Sequence, residues 1–281
     1  SVWKPRLQLT LITTAGILFT QLDKLFLSYF CESIQSTYYA MPQSIVITIM
    51  NIANSIVLVA VPRLSYLLSR GKTADYRALL SKTAQTFCMA VFPIGIGIAV
   101  TARFIMALYG GADYAAAAPT LFLFGMRAIL QCFAIIMVHQ IIYLHGREKA
   151  LVRCMLVCGL VNLGANALLA WLGRVTPETL LFTTMLSECL LVFLERCLVW
   201  RIDPKIRLFL PRTLKYLLAA LLFFPVSAGI NAARLGSYQT GALTVAVCAA
   251  LYFGLLLVTR DRLLLGYLRD LRFRIACRLH R

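Results

Sequence analysis

The feature that most constrains this sequence is a series of apolar runs, each long enough to cross the hydrocarbon core of a lipid bilayer. A transmembrane helix needs about 20 mostly apolar residues to cross roughly 30 Å of hydrocarbon. Because the runs are continuous rather than alternating, they predict helices and not the strands of a barrel. The eight predicted spans are Leu7–Phe30, Ser44–Val61, Thr86–Tyr109, Pro119–Leu144, Leu151–Leu172, Leu180–Val199, Leu214–Ile230 and Gly241–Val258.

The composition agrees with a chain that lies mostly in a membrane. Of its 281 residues, 60% are hydrophobic and only 14% are charged, whereas a soluble domain carries about 25% charged residues. No long hydrophilic stretch leaves room for a separate soluble domain. The predicted fold class is therefore all-α, a polytopic bundle of eight transmembrane helices.

The basic residues predict how the bundle is oriented. The net charge is +17, and nearly all Lys and Arg residues fall in one alternate set of loops, while the opposite loops hold only Arg174 and Arg234. By the positive-inside rule, both termini of this chain are cytoplasmic. The excess charge then indicates anionic inner-leaflet lipids as a partner, and not nucleic acid.

The last residues of the chain have the pattern of a surface helix. Within Arg260–Arg281, apolar residues recur at helical spacing between arginines, which is typical of an amphipathic helix on an anionic leaflet. These apolar residues are Leu264, Leu268, Leu271, Ile275 and Leu279. A basic disordered tail is the alternative.

Polar side chains are spread over several predicted spans. Each ionisable group at membrane depth costs several kcal/mol, so it is expected to face a cavity or a partner. Hydrogen bonds between helices explain any single polar stripe, but five such stripes together favour a hydrated lumen. The candidate lumen residues are Lys24, Asn51, Asn54, Arg127, Gln131, Asn162 and Asn166.

The charges within the spans suggest what the lumen binds. Arginine and amide groups suit an anionic, hydrogen-bonding substrate such as a sugar phosphate. The alternative is internal ion pairing, of Glu188 with Arg127, of Glu195 with Arg196 and of Asp23 near Lys24. Asp23 and Glu188 are the candidates for binding a coupling proton or cation.

No arrangement of residues in the sequence indicates catalysis. There is no Gly-rich phosphate loop, the three histidines are far apart, and the nine cysteines lack metal-binding spacing. We therefore expect no enzyme activity, no catalytic residues, no metal and no cofactor. A glycan polymerase or ligase would need a long outer loop with basic catalytic residues, and the outer loops here are short.

Several short motifs, taken in order, resemble a known family. The motifs are Gln21–Leu25, Thr37–Ala40, Val61–Ser65, Arg70–Lys72, Leu108–Tyr114, His145–Lys149 and Ser187–Glu188. With these motifs the sequence is similar to the second half of a polysaccharide flippase of the O-antigen/teichoic-acid type, in the multidrug/oligosaccharidyl-lipid/polysaccharide exporter superfamily.

The resemblance implies an architecture and a function. Members have twelve core helices in two lobes, and this chain would supply helices 7 to 14. Residues 1–200 would form the six-helix C-terminal lobe, residues 201–259 two additional helices, and residues 260–281 the basic tail. We expect the chain to begin in mid-protein, with the N-terminal lobe of the same protein as its partner.

The implied substrate is an oligosaccharide linked to undecaprenyl pyrophosphate, flipped across the bacterial cytoplasmic membrane by alternating access. A murein lipid precursor flippase and a multidrug exporter of the same superfamily are the alternatives. In murein precursor flippases an acidic–basic pair follows the Tyr-Tyr-Ala stretch, whereas Met41 and Pro42 stand here. This difference favours an oligosaccharide lipid. A scaffold role is a further alternative.

Overall fold

The structure is a computed structural model that describes residues 21–208, 211–233 and 236–269. Within these ranges the chain is helical and contains no strand. Most of the first predicted span, and the predicted surface helix beyond residue 269, lie outside the described residues. The α-helices are α1 (21–30), α2 (Ser33–Ser69), α3 (Thr73–Val100), α4 (Ala102–Gly110), α5 (Ala118–Met137), α6 (Glu148–Trp171), α7 (Pro177–Ile202), α8 (Pro211–Leu221), α9 (Phe223–Ala232), α10 (Ser237–Val258) and α11 (262–269).

The prediction of a polytopic helical membrane bundle is confirmed. Six stretches of the described residues are long and apolar enough to cross a membrane. They include α2, α3, α6 and α10, together with 112–142 and 213–232. The predicted span Leu180–Val199 lies within α7, which is 26 residues long but is not among the six and carries Glu188 and Glu195 along its length.

Helix α2 is longer than the span predicted at Ser44–Val61. It runs for 37 residues and contains Pro42 and Pro62, which the sequence suggests as span ends or kinks. At 1.5 Å per residue its length is about 55 Å, well beyond the hydrocarbon thickness. The helix therefore extends past the membrane core at one or both faces.

The third predicted span, Thr86–Tyr109, is divided between two helices. Helix α3 begins at Thr73 and continues through Pro93. The break comes at Thr101, whose hydroxyl donates to the Gly97 carbonyl at 2.6 Å.

Helix α5 lies at the centre of the bundle, where it packs against α2, α3 and α7, while α6 packs against α7. Two glycines allow α3 and α5 to approach closely. A Cβ atom at Gly95 would lie 2.7 Å from the Gly125 carbonyl oxygen, and one at Gly125 would lie 2.6 Å from that of Gly95. Small residues permit such contact in membrane bundles, where packing drives helix association.

Helix α5 ends in a π-helical turn, Val138–Ile142. The widened turn frees a backbone carbonyl, and that of Gln140 accepts a hydrogen bond of 2.7 Å from the Tyr76 hydroxyl. The Gln140 side chain in turn donates to the Val57 carbonyl at 2.8 Å. These two bonds join the end of α5 to α3 and to α2, and π-helical turns recur at functional sites.

Candidate functional site

A buried ion pair lies at the centre of the bundle, between α5 and α7. The Arg127 guanidinium donates to both carboxylate oxygens of Glu188, at 2.8 Å from Nε and 2.5 Å from Nη2. Arg127 is 5% exposed and Glu188 is 8% exposed. Gln131, one turn beyond Arg127, donates to the same carboxylate at 3.5 Å. The pairing of Glu188 with Arg127, one of the sequence-based alternatives, is thus present.

Five of the predicted lumen residues surround one cavity of about 270 Å³, which we call the basic cavity. They are Lys24 from α1, Asn51 and Asn54 from α2, and Arg127 and Gln131 from α5. Gln21, Gln43 and Ser44 add further polar groups to its wall. The structure therefore brings together amide, hydroxyl and cationic side chains at membrane depth.

A second cavity of about 380 Å³ adjoins the first, and we call it the acidic cavity. Its polar wall contains Glu188, Glu195 and His139, whereas most of its other lining residues are apolar. Asn54 and Gln131 line both cavities. Because Arg127 lines the basic cavity and Glu188 the acidic one, their ion pair stands at the boundary between the two.

The structure places Asn162 and Asn166 away from the basic cavity, in a buried cluster around Asp23. The Asp23 carboxylate accepts hydrogen bonds from Tyr39 at 2.5 Å, Thr184 at 2.7 Å and Asn166 at 2.9 Å. Asn162 donates to Thr184 at 3.2 Å. Asp23 and both asparagines have no exposed surface. The cluster joins α1, α2, α6 and α7.

Asp23 is surrounded by neutral donors, although Lys24 follows it in the chain. Among the described residues no cation lies within ion-pair distance of its carboxylate. Sequence reasoning did not select Tyr39 as a site residue, because a tyrosine in an apolar stretch has the pattern of an ordinary packing residue. Its hydroxyl is nevertheless the closest donor to Asp23.

An apolar groove of about 540 Å³ opens between α3 and the helices α9 and α10. Pro93, Gly97, Cys248 and Phe253 are among its lining residues, and the wall is almost wholly apolar. The Tyr252 hydroxyl is turned away to donate to the Met89 carbonyl at 2.8 Å. The groove thus lies along helices of the last two predicted spans, Leu214–Ile230 and Gly241–Val258.

Two further carboxylates, near the predicted cytoplasmic ends of the helices, anchor neighbouring segments. Asp203 accepts a bond of 2.6 Å from Arg77, and Asp261 accepts one of 3.1 Å from Lys215. Burial raises the pKa of each carboxyl, but hydrogen bonds from these cations and from nearby backbone amides outweigh it. The pKa of Asp203 and that of Asp261 are therefore both lowered from the ordinary value of 3.8.

Comparison with known proteins places these features in context. Residues 6–119 match the family model described as polysaccharide biosynthesis protein. The structure is similar to that of the lipid II flippase MurJ in an inward closed conformation, with a TM-score of 0.61 and 11% sequence identity. The match covers 87% of this chain and 53% of that flippase, so this chain spans about half of its length. No curated protein matches the sequence.

The two comparisons are independent, since one rests on sequence and the other on the backbone. At 11% identity the structural likeness shows a shared fold, while the family match supplies the link to polysaccharide biosynthesis. Together they confirm the resemblance drawn from the motifs. The chain is similar in sequence over residues 6–119 to the polysaccharide biosynthesis family model, and in fold over 87% of its length to the lipid II flippase MurJ.

Proposed function

We propose that this chain is one lobe of a transporter that flips an oligosaccharide linked to undecaprenyl pyrophosphate across the bacterial cytoplasmic membrane. The transporter works by alternating access and serves the export of cell-surface polysaccharide. The basic cavity is the observation that carries the proposal, because it gathers Lys24, Arg127 and five amide side chains within membrane-spanning helices. Both comparisons favour a transporter over an enzyme.

The lining of the basic cavity suits the head of such a substrate. Guanidinium and ammonium groups bind phosphate oxygens, and the amides of Asn51, Asn54 and Gln131 can donate to and accept from sugar hydroxyls. The Asn54 amide oxygen is buried, has no donor among the described residues, and can receive such a bond. The Glu188 pair uses Nε and Nη2 of Arg127, so the other N–H groups of the guanidinium are the ones left for a phosphate.

The apolar groove suits the other end of the substrate. A polyprenyl chain carries no polar group, and each CH₂ transferred from water to an apolar wall contributes about 0.8 kcal/mol. The groove between α3 and α10 offers such a wall. We therefore assign the sugar and pyrophosphate to the basic cavity and part of the lipid tail to the groove.

Asp23 and Glu188 are the proposed ion-coupling carboxylates. Protonation of Glu188 would weaken its hold on Arg127 and release the guanidinium toward the substrate. The described groups that donate hydrogen bonds to Asp23 are all neutral. A proton or small cation bound to Asp23 would therefore change the net charge of the cluster that joins α1, α2, α6 and α7. Asn162 and Asn166 would then act by positioning Asp23.

The remaining features of the proposal concern the surroundings of the chain. Because the chain spans about half the length of the similar flippase, we propose that an N-terminal lobe of the same protein completes the cavity. Residues 1–200 form the C-terminal lobe, and residues 201–259 the additional pair of helices. Both termini face the cytoplasm, where the basic segment 260–281 contacts anionic inner-leaflet lipids.

A murein lipid precursor is the second candidate substrate, favoured by the fold similarity to the lipid II flippase. It differs from the first candidate in its sugars and shares the polyprenyl pyrophosphate. The two can therefore be compared directly in one assay, with the same membranes and the same protein.

The test reconstitutes the complete transporter in liposomes and follows the leaflet in which a labelled lipid lies. We expect faster flipping of the undecaprenyl-pyrophosphate oligosaccharide than of the murein precursor, and a loss of about tenfold or more in Arg127→Ala, since a charged hydrogen bond is worth about 1.5–3 kcal/mol. Arg103→Ala is the control, because Arg103 is exposed on α4 and lies outside the basic cavity. Equal flipping by Arg127→Ala and the control would contradict the proposal.

A further inference from the structure

The acidic cavity contains a carboxyl group that the Arg127–Glu188 pair does not neutralise. Glu195 lines this cavity, is 1% exposed, and has a buried Oε2 to which no described residue donates a hydrogen bond. Glu188, two turns earlier on α7, differs because both its oxygens accept bonds from Arg127. The two glutamates therefore face the same cavity, but Arg127 compensates the charge of Glu188 and not that of Glu195.

The groups around Glu195 do not supply a counter-charge. Arg127 on α5 is occupied by Glu188, and Arg196 does not line the cavity. Within the described ranges no ion pair includes Glu195. Its titratable neighbours are Glu188 on its own helix, His139 in the π-helical turn, Tyr143 just beyond it, and Cys154 and Cys158 on α6, while α2 contributes the amide of Asn54.

A charged carboxylate in this position is costly. Removing an ion from water costs several kcal/mol even after the protein relaxes, unless a partner compensates it. A bound proton removes the charge and turns the unpartnered oxygen into an O–H donor. The buried Asn54 Oδ1, which also has no donor among the described residues, lies on the wall of the same cavity. The cavity thus gives Glu195 a reason to hold a proton.

We propose that Glu195 is a proton-binding site of the acidic cavity, distinct from Asp23 and Glu188. The neutral acid is the resting form while the cavity is closed to bulk water. When water enters, the carboxyl O–H bond breaks, the proton passes to a water molecule as hydronium, and the carboxylate is solvated. Its role in driving transport rests on the proposed function, whereas proton binding itself does not.

Chemical labelling tests proton binding without any transport assay. N,N′-dicyclohexylcarbodiimide adds to protonated carboxyl groups in apolar surroundings, and the stable N-acylurea is located by mass spectrometry of the full chain in lipid nanodiscs. We expect Glu195 to be modified near neutral pH, with labelling that falls about tenfold per pH unit above its titration midpoint. Glu188 should stay at least several-fold less labelled, because its oxygens are bonded to Arg127.

Two variants and a second measurement make the result decisive. Glu195→Gln should remove the modification, whereas the double variant Arg127→Met, Glu188→Gln, which removes both charges of the neighbouring ion pair, should leave the labelling of Glu195 in place. Infrared difference spectra over a pH titration should show the carbonyl stretch of a protonated acid that is missing in Glu195→Gln. A wild-type spectrum with no such band would overturn the site even where the reagent does not reach it. Equal labelling of the two glutamates would overturn it as well.

A third measurement separates this inference from the proposed function. In the complete transporter, glycolipid flipping by Glu195→Gln should depend less on pH than flipping by the wild type, and the dependence that remains belongs to Asp23 and Glu188. If Glu195 is labelled in the wild type but Glu195→Gln keeps the pH dependence of the wild type, only the coupling role of Glu195 is overturned. Absence of flipping in the wild type would overturn the proposed function and leave the labelling result standing.

Discussion

Arg127 and Glu188 show how this bundle holds charge away from water. Each is almost fully buried, and each compensates the other through two hydrogen bonds. A pair of this kind contributes little net stability, because both ions lose their hydration. Loss of one partner is far more costly, since the remaining charge stays buried without compensation.

The stability of single variants should reveal this asymmetry. Arg127→Met leaves Glu188 uncompensated and should lower the free energy of unfolding by about 3–5 kcal/mol. The double variant Arg127→Met, Glu188→Gln should recover most of that loss. Thermal unfolding in detergent measures both. Arg77→Met, at a pair whose arginine side chain is 33% exposed, is the control and should cost only about 1 kcal/mol.

The cluster around Asp23 leads to a second prediction at the residue scale. Asp23→Asn places an N–H₂ group where an oxygen now accepts from Tyr39, Thr184 or Asn166. Two donors would then face each other, at a cost of about 1–3 kcal/mol in unfolding free energy. Tyr39→Phe removes one donor without such a conflict and should cost less. A larger loss in Tyr39→Phe than in Asp23→Asn, measured by thermal unfolding, would contradict this order.

At the scale of helices, the crossing of α3 and α5 depends on the absence of two side chains. Gly125→Ala would place a methyl group 2.6 Å from the Gly95 carbonyl oxygen and 2.9 Å from the Ala99 amide nitrogen. Overpacking of this kind costs about 1–3 kcal/mol, because the helices must move apart. Lower thermal stability in detergent and weaker function should therefore appear together.

Gly97→Ala is the matched control for that variant. A Cβ atom at Gly97 would have no atom within 4 Å, and alanine favours a helix by up to about 1 kcal/mol over glycine. We expect Gly97→Ala to unfold at the same temperature as the wild type or at a higher one. A similar loss of stability in both variants would show that helix propensity, and not close packing, explains the effect at Gly125.

The contact between α8 and the end of α10 should respond to pH. The folded-state pKa of Asp261 is lowered by its bonds to the Leu264 backbone and Lys215, against the opposing effect of burial. Because the folded-state pKa is lowered, the ionised carboxylate stabilises the folded state at pH values above the pKa of the unfolded chain, near 3.8. This stabilisation is lost as the pH falls through the folded-state pKa. The free energies of unfolding of the wild type and of Asp261→Asn should therefore differ at pH 6 and become equal at low pH.

The existence of the helices could be read from the sequence, whereas their breaks could not. Continuous apolar runs with basic loops between them predict membrane helices because no other structure satisfies the backbone in hydrocarbon. Pro93, however, lies within a continuous helix, while the break comes at Thr101, where a hydroxyl bonds the preceding turn. Whether a proline bends a helix or is accommodated depends on its neighbours, and these are set by the tertiary fold.

The candidate site was predictable to a similar degree. Polar stripes on several spans predicted a cavity, and five of the seven proposed lumen residues lie on it. Asn162 and Asn166 belong instead to the Asp23 cluster. Helical periodicity shows which residues share a face, but it does not show whether that face meets a cavity or a buried carboxylate on another helix.

At the scale of the whole molecule, the proposed transporter uses the two adjoining cavities for different purposes. In this proposal the basic cavity would bind the anionic head of the substrate, and the acidic cavity would exchange protons with water. Arg127 and Glu188 lie at their common boundary, so a change in one cavity alters the charge that the other presents. Substrate and coupling ion can thus influence each other across a single ion pair.

The proposed division into lobes gives a prediction for the chain by itself. This chain spans about half of the similar flippase, and a cavity open on one side cannot shield a polar head from lipid. Residues 1–281 alone should therefore not flip labelled glycolipid in liposomes, whereas the complete protein should. Flipping by the isolated chain at the rate of the complete protein would show that the second lobe is unnecessary.

Helix α2 also bears on how such a protein can open to each side in turn. It is continuous from Ser33 to Ser69, and Asn51 stands at its midpoint, on the basic cavity. A continuous helix that tilts about its middle moves its two ends in opposite directions and its centre hardly at all. Widening the bundle at one membrane face would then narrow it at the other, while the proposed substrate-binding residues at the centre of the helix would stay in place.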